Sequence, residues 1–280
     1  MITGYIGATF MSRSEADGRL LFVNAARPDE RINAADFDFG VQSGIEAGVI
    51  AHGEISDIEF RFLNVGDISD TRRQAFTGNG APIITPTGAS IPGSRLGRVS
   101  YDSAMNSFEA NLRYRYGGGS RWWTFLAGFR YLNVNETLSG RFSAPGTAAV
   151  DAAVVDVDNH LFGIQIGADR TLFGDCSYDL SCYGRIGVYG NDSSTGFQLR
   201  NSTPGSPSFS AGGSGGQTSF AAEFGVKATY RLAEAWNLYG RYQVLFIEDV
   251  ALASHQVNNR HSARGELTYH GATFGLEYIY

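Results

Sequence analysis

Residues 108–116 read Phe-Glu-Ala-Asn-Leu-Arg-Tyr-Arg-Tyr, in which apolar and polar side chains alternate without a break. Successive side chains of an extended strand point to opposite faces, so this stretch has one apolar face and one charged face. The same period of two recurs at 37–50 and 220–231. These runs exceed the roughly five or six residues of an average strand. The alternation therefore predicts long strands with two chemically different faces.

Ten such segments follow one another along the chain. They cover residues 2–12, 37–50, 55–65, 99–116, 121–135, 154–170, 179–191, 217–231, 236–250 and 265–280. The connections between them alternate in length, which is typical of barrels with short periplasmic turns and long extracellular loops. We therefore predict one all-β domain over residues 1–280, a single antiparallel transmembrane β-barrel of about ten strands. Twelve strands are the alternative if Leu20–Val23 belongs to an extra hairpin.

The composition agrees with this fold class and excludes others. Glycine accounts for 36 of 280 residues, and aromatic residues for 13 %, which favours β structure over helices. Charged residues make up only 18 % of the chain, unlike in disordered proteins. The net charge of −6 provides no basic surface, so we expect no nucleic-acid partner.

Three features indicate that the apolar face points outward, toward lipid. Aromatic residues gather beside the short turns, as an interfacial girdle requires: they are Tyr114, Tyr116, Trp122, Trp123, Tyr230 and Trp236. The polar face mixes both charge signs, as expected for side chains paired inside a lumen. The third feature is the end of the chain, where apolar and polar residues alternate up to the last position.

The polar face predicts a charge network inside a narrow barrel, with each arginine needing an acidic partner. Its predicted members are Glu46, Glu59, Arg61, Glu109, Arg113, Arg115, Arg130, Asp169, Arg185, Glu223, Lys227, Arg241 and Glu277.

The final strand predicts an assembly signal formed by Phe274, Leu276, Tyr278 and Tyr280. A C-terminal aromatic residue on an alternating strand resembles the signal that the outer-membrane assembly machinery reads. The expected partners are therefore this machinery and the lipids of a bacterial outer membrane. Residues 1–7 have neither a basic nor an apolar signal-peptide region, so we expect the export signal to lie outside this sequence.

The only two cysteines, Cys176 and Cys182, predict a disulfide that closes a short loop. A disulfide implies an oxidising compartment such as the periplasm. Two free thiols, as in a cytosolic protein, are the alternative. A zinc site would need more ligands than these two thiols provide, and we expect neither a metal nor a cofactor.

Two segments have distinctive sequences: residues 126–139, Leu-Ala-Gly-Phe-Arg-Tyr-Leu-Asn-Val-Asn-Glu-Thr-Leu-Ser, and residues 239–255, which contain Gly-Arg-Tyr-Gln-Val-Leu-Phe and Val-Ala-Leu-Ala-Ser-His. Both resemble segments of a planctomycete-type outer-membrane β-barrel family, and residues 160–173 are similar to it more loosely. The resemblance lies mainly in residues 126–280. It implies the barrel fold and an outer-membrane location, and the family carries no assigned activity.

Three functions fit a barrel of this kind. We expect a non-enzymatic surface protein, with a narrow porin-like pore for small solutes as the leading form. A plugged structural or adhesive barrel acting through its loops is the main alternative. The third is a rim protease similar to the omptins, for which Asp36, Asp38, Asp158 and His160 provide residues of the right type. Residue parity places Asp36 and Asp38 on the inward face but Asp158 and His160 on the outward face, which argues against a rim protease. The sequence does not indicate an oligomeric state.

Overall fold

The computed structural model describes the whole chain except Glu15, Asp17 and residues 78–82, 85–89, 92–94, 117–122, 144–149, 203–207 and 257–263. Long strands dominate it. In chain order they are β1 (Ile2–Arg13), β2 (Leu20–Asn24), β3 (Arg27–Asn33), β4 (Gln42–His52), β5 (Ser56–Phe76), β6 (Ile83–Ile84), β7 (Ser90–Ile91), β8 (Arg95–Tyr116), β9 (Trp123–Ser143), β10 (Val150–Gly174), β11 (Tyr178–Arg200), β12 (Phe209–Arg231), β13 (Trp236–Ala251) and β14 (Arg264–Ile279). A 3₁₀ turn spans Ala34–Asp36, and the helix α1 spans Ala253–Gln256. Within the described ranges, no helix is long and apolar enough to cross a bilayer.

Ten strands form a closed antiparallel barrel in the order β1, β14, β13, β12, β11, β10, β9, β8, β5 and β4, with β4 pairing again with β1. This confirms the predicted fold class and strand number. The extra hairpin at Leu20–Val23 also exists, but it does not enlarge the barrel. It consists of β2 and β3, which join β6 and β7 in a separate four-stranded sheet.

Several strands extend further on the loop side than predicted, because their face pattern reverses along their length. On β9 the outward residues are apolar up to Tyr131 and polar from Asn133 onward. The inward residues change in the opposite sense, from the charged Arg130 to the buried Leu132 and Val134. The turn side of the barrel thus follows the pattern of a membrane protein, and the loop side that of a water-soluble one.

The height of the outward apolar band is close to that of a transmembrane barrel. On β9 it runs from Trp123 to Tyr131, about 26 Å along the strand and about 20 Å along the barrel axis at a strand tilt of about 40°. Transmembrane barrels carry an apolar band about 25 Å tall. Of the predicted girdle, Trp122 lies outside the described residues. The exposed aromatic side chains at the turn end include Tyr114, Tyr116, Trp123, Tyr230 and Trp236.

The prediction that residues 37–50 form one strand was wrong at its start, since β4 begins at Gln42. Phe37 and Phe39 were assigned to the outward apolar face, but they lie inside the barrel and are 1 % and 4 % exposed. The period of two continues through this segment, although it belongs to a loop that enters the lumen. Periodicity alone does not distinguish a strand of the barrel wall from a loop inside the lumen.

Candidate functional site

Arg61 of β5 crosses the lumen and is 1 % exposed. Its guanidinium donates to Glu46 at 2.8 Å, Glu109 at 3.0 Å and Glu223 at 2.7 Å. A fourth hydrogen bond reaches the amide oxygen of Gln243 at 2.7 Å. Glu223 lies on β12, the strand opposite β5 in the ring of ten. One side chain therefore connects opposite walls of the barrel.

Three further arginines surround Arg61 at the same level. Arg130 lies 2.8 Å from Glu223, and Arg185 lies 2.6 Å from Glu109. Arg241 pairs with Glu46, and Arg185 also lies 3.8 Å from Glu59. We call the four arginines and four glutamates of this layer the charge belt: Arg61, Arg130, Arg185, Arg241, Glu46, Glu59, Glu109 and Glu223. Its charges balance, as buried ions require.

The remaining predicted network residues lie nearer the turns. Arg113 contacts Asp169 at 2.7 Å and Glu59 at 3.4 Å. Arg115 contacts Asp57 at 3.0 Å, and Lys227 pairs with Glu277. All thirteen predicted residues therefore take part in ion pairs. A polar cavity of about 150 Å³ opens among the residues on this turn side.

Tyrosines occupy the space that inward glycines leave. Tyr5 lies directly opposite Gly48 on the neighbouring strand, and a Cβ on Gly48 would come within 2.3 Å of the tyrosine ring. Tyr183 and Gly225 form the same kind of pair, with a ring distance of 2.6 Å. At these positions aromatic rings fill the space beside the glycines, so the glycines leave no path for a solute there.

The loop-side lumen is filled by an apolar plug, which we define as residues 18–41 together with residues 252–256. Phe22 packs on Phe142 of the barrel wall with ring centroids 4.9 Å apart. Phe37 and Phe39 both pack edge-on against Tyr101. The buried plug residues are mostly apolar or small: they are Leu21, Phe22, Asn24, Glu30, Ile32, Ala34, Phe37, Phe39, Leu252, Ala253, Ser254, His255 and Gln256.

One buried ion pair lies within this apolar region. Arg13 lies 2.6 Å from Glu136, and both side chains are completely buried. The guanidinium carbon of Arg13 also lies 4.4 Å from the ring centroid of Phe39. Glu136 accepts hydrogen bonds from Tyr101 at 2.7 Å and from the backbone N–H of Ala253 at 2.9 Å. The pair thus joins the barrel wall to both parts of the plug.

Asn159 of β10 holds the second part of the plug in place. Its side chain donates to the carbonyl of Ala251 at 2.8 Å and accepts from the N–H of the same residue at 2.9 Å. Just before this, Asp249 has a positive φ of 58° at a break in the β13–β14 register. Ser219 donates to the carbonyl of Asp249 at 2.6 Å. These contacts turn the chain from the barrel wall into the lumen.

A polar contact fixes the β2–β3 hairpin to the next loop. Glu30 accepts hydrogen bonds from Asn24 at 2.7 Å and from the backbone N–H of Thr77 at 2.5 Å, and its second oxygen accepts from the Thr77 hydroxyl. The hydrogen bond from the Thr77 hydroxyl is the main cause that lowers the pKa of Glu30 to about 2.

The sequence prediction missed Arg13, Glu136, Asn159 and Gln243. Glu136 shares the inward parity of Arg130, so the alternation on β9 contained a signal for it. Arg13 likewise shares the parity of Tyr5 on β1. Gln243 shares the inward parity of Arg241 on β13. The parity of Asn159 places it inside the barrel, but nothing in the local sequence indicated its contact with Ala251.

The predicted disulfide is not formed, and Cys176 and Cys182 are both free thiols. Cys176 precedes β11, whereas Cys182 lies four residues beyond Tyr178, the first residue of that strand. Four extended residues cover about 13 Å. A disulfide needs Cα atoms about 4.4–6.8 Å apart. Because β11 begins at Tyr178, it carries Cys182 away from Cys176, and the short loop that a disulfide would close does not form.

The residues considered for a rim protease are not brought together. His160 is exposed on the outer wall, where its Nδ1 lies 2.9 Å from the Tyr131 hydroxyl. Asp36 and Asp38 are also exposed, in the plug segment and not on the inward strand face that we predicted. Asp36 accepts a hydrogen bond from the N–H of Asn33 at 2.7 Å. No hydrogen bond or ion pair connects either aspartate to His160 among the described contacts.

The last residues of the chain pair with β1 and close the barrel at the seam between β1 and β14. Tyr280 donates its backbone N–H to Ile2 at 2.8 Å and accepts from the Ile2 N–H at 2.9 Å. The side chains of Phe274, Leu276, Tyr278 and Tyr280 all point outward and are 40–83 % exposed.

Solved structures with a similar fold are outer-membrane barrels. The outer membrane protease OmpT from Escherichia coli matches with a TM-score of 0.55 and 13 % identity, over 100 % of this chain and 96 % of that one. The translocator domain of the autotransporter NalP from Neisseria meningitidis matches with a TM-score of 0.45 and 13 % identity, over 100 % and 89 %. At this identity the OmpT match shows the fold alone, that of an outer-membrane β-barrel.

No family model matches the chain, and no curated protein matches it. The resemblance to a planctomycete-type family therefore stays a prediction.

Proposed function

We propose that this protein is an integral barrel of a bacterial outer membrane that is closed to solutes and acts at the cell surface through its plug and loops. The observation that carries this proposal is the position of Arg61, which binds residues of four other strands across the lumen. A solute moving along the lumen would have to break these buried, charge-assisted contacts.

The plug supports the same proposal independently. Above the charge belt the lumen contains packed apolar side chains, such as Phe37 and Phe39, in place of a polar channel. Water-filled barrels have polar interiors. A lumen closed by two layers of different chemistry favours the plugged barrel over the porin-like pore.

The narrow pore is the second candidate, and the turn-side cavity of about 150 Å³ is the observation that favours it. This cavity gives water and small ions access from the turn end. It is lined by Arg185 and Arg241 of the charge belt, beyond which Arg61 crosses the lumen. The proposal includes no enzymatic activity, since the residues considered for one lie apart.

The test is single-channel conductance of the refolded protein in a planar bilayer. We expect no discrete steps from the wild type. Deleting residues 18–38 alone should also leave the barrel silent, because the charge belt remains. Combining this deletion with Arg61→Ser should produce steps, since both layers are then interrupted.

Folding is checked for each variant by its different gel migration before and after boiling. Stable discrete steps from the folded wild type would overturn the proposal and support the pore. Silence of the combined variant would contradict the assignment of the two closing layers.

A further inference from the structure

Four arginines lie in one row on the outer wall of the barrel, at the loop end of adjacent strands. Arg73 of β5 pairs with Arg98 of β8, which pairs with Arg141 of β9. Arg141 pairs with Ala152 of β10, and Ala152 pairs with Arg200 of β11. Because neighbouring strands are about 4.8 Å apart, the row places four positive charges along one line of the wall.

These arginines are exposed and have no ion-pair partner within the described part of the chain. Like charges directly opposite each other on neighbouring strands are destabilising. The nearest outward carboxylates on two of these strands, Asp102 and Asp156, lie four residues closer to the membrane, about 13 Å along each strand.

The connections outside the described ranges add little negative charge that could neutralise the row. Outside the described ranges the sequence contains only two carboxylates, Glu15 and Asp17. Both belong to the connection between β1 and β2, which are not among the strands that carry the row. The row therefore presents positive charge that no neighbouring carboxylate neutralises, and it can accept an anion from outside the chain.

A groove lies between two of the arginines. Its volume is about 310 Å³, and Arg141 and Arg200 line its two sides together with Gln198. The small side chain of Ala152 lies between them, at the position where an arginine would continue the row. Guanidinium groups on two sides of a depression fit the bidentate binding of a phosphate or carboxylate group.

The height of the row above the outward apolar band determines which membrane anions can reach it. Arg141 lies ten residues beyond Tyr131, the last outward apolar residue of β9. This separation is about 33 Å along the strand and about 25 Å above the apolar band at a tilt of about 40°. The head-group region extends only about 5–8 Å beyond each side of the hydrocarbon core. Phospholipid head groups therefore lie too low to reach the row.

The geometry points to a binding site for the anionic sugar chain of an outer-leaflet glycolipid, formed by Arg73, Arg98, Arg141 and Arg200. This inference rests on the outer-membrane location in the proposed function. A glycolipid beside the barrel is anchored in the same leaflet, and its sugar chain rises along the outer wall. Its phosphate or carboxylate groups would neutralise the arginine row and hold the sugar chain against the barrel.

Calorimetric titration of the refolded protein in detergent tests this inference. The probe is the water-soluble, phosphate-bearing core oligosaccharide released from lipopolysaccharide. We expect Arg98→Gln/Arg141→Gln to bind it at least tenfold more weakly than the wild type, a change of about 1.4 kcal/mol. The matched control is Arg231→Gln, which removes one exposed arginine at the turn end of β12. It should bind like the wild type.

Two further titrations test whether the charged groups and the sugar chain are both needed. The same oligosaccharide, dephosphorylated and with its carboxyl groups reduced, should not bind. Inorganic phosphate should not compete at concentrations equal to those of the oligosaccharide phosphates. Equal binding by the double variant and the wild type, or binding of the neutral oligosaccharide, would overturn the inference. A folded, non-conducting barrel that does not bind the probe would overturn it without affecting the proposed function. A conducting barrel that binds the probe would overturn only the closed lumen.

Discussion

Replacing Arg61 with methionine tests the charge belt directly. The substitution keeps an unbranched apolar side chain but removes the hydrogen bonds to Glu46, Glu109, Glu223 and Gln243. In the wild type, four arginines balance four glutamates within the belt. The variant leaves one excess negative charge in a region where the belt glutamates are at most 3 % exposed.

The expected loss in the free energy of unfolding is about 3–5 kcal/mol, the usual effect of removing one partner of a buried ion pair. Restoring the charge balance should recover part of this loss. The double variant Arg61→Met/Glu223→Gln should therefore be more stable than the sum of the two single variants predicts, because the two residues are in contact.

Urea unfolding in detergent micelles, followed by tryptophan fluorescence, measures these changes. Arg170→Met is the matched control, since Arg170 is only partly buried and lies 4.8 Å from the ring centroid of Trp123 at the turn end. It should cost no more than about 1 kcal/mol. A loss of less than about 1 kcal/mol for Arg61→Met, or strict additivity in the double variant, would refute the charge belt as described.

Four further predictions concern the plug, the thiols and the seam. Phe39→Ala should destabilise the plug by about 3–5 kcal/mol, measured by faster hydrogen exchange in residues 18–41, with unchanged exchange arguing against the plug. The pKa of Glu30 is lowered to about 2, so its stabilising contacts are complete above its ordinary pKa of 4.5 and are lost as the pH falls from 4.5 toward 2. Protease cleavage of the β2–β3 hairpin should therefore increase over this pH range in the wild type. In Glu30→Gln the cleavage should not depend on pH. Cys176 and Cys182 should both react with an alkylating reagent without prior reduction, and protection of both would restore the disulfide. Deleting Tyr280 removes two backbone hydrogen bonds at the seam and should reduce the yield of heat-modifiable folded protein, whereas an undiminished yield would contradict its role.

The turn-side half of the barrel was predictable because the membrane allows few choices there. A lipid-facing side chain must be apolar, and an inward charge in a narrow lumen needs a partner. Alternation on a strand such as β8 therefore identified both faces, and the inward residues Glu109 and Arg113 belong to ion pairs in the structure.

The loop side was not predictable in the same way. Leu132 and Val134 continue the alternation of β9 with the two faces exchanged, and the period is identical on both sides of the reversal. The buried position of Phe39 depends on contacts with Arg13 and Tyr101, which are distant along the chain. The disulfide prediction failed because it used spacing alone, whereas the start of β11 determines whether Cys182 can approach Cys176.

The contact of Arg61 with the opposite wall has a consequence for the order of events during assembly. Once Arg61 of β5 has bound Glu223 of β12, the interior is too full for a folded hairpin to pass. The β2–β3 hairpin and the α1 segment lie on the loop side of this contact. In the proposed orientation, with the loops at the cell surface, we expect these segments to cross the membrane before β1 and β14 join. Formation of the Arg61 contacts is then expected late in assembly, where it opposes return of the loops.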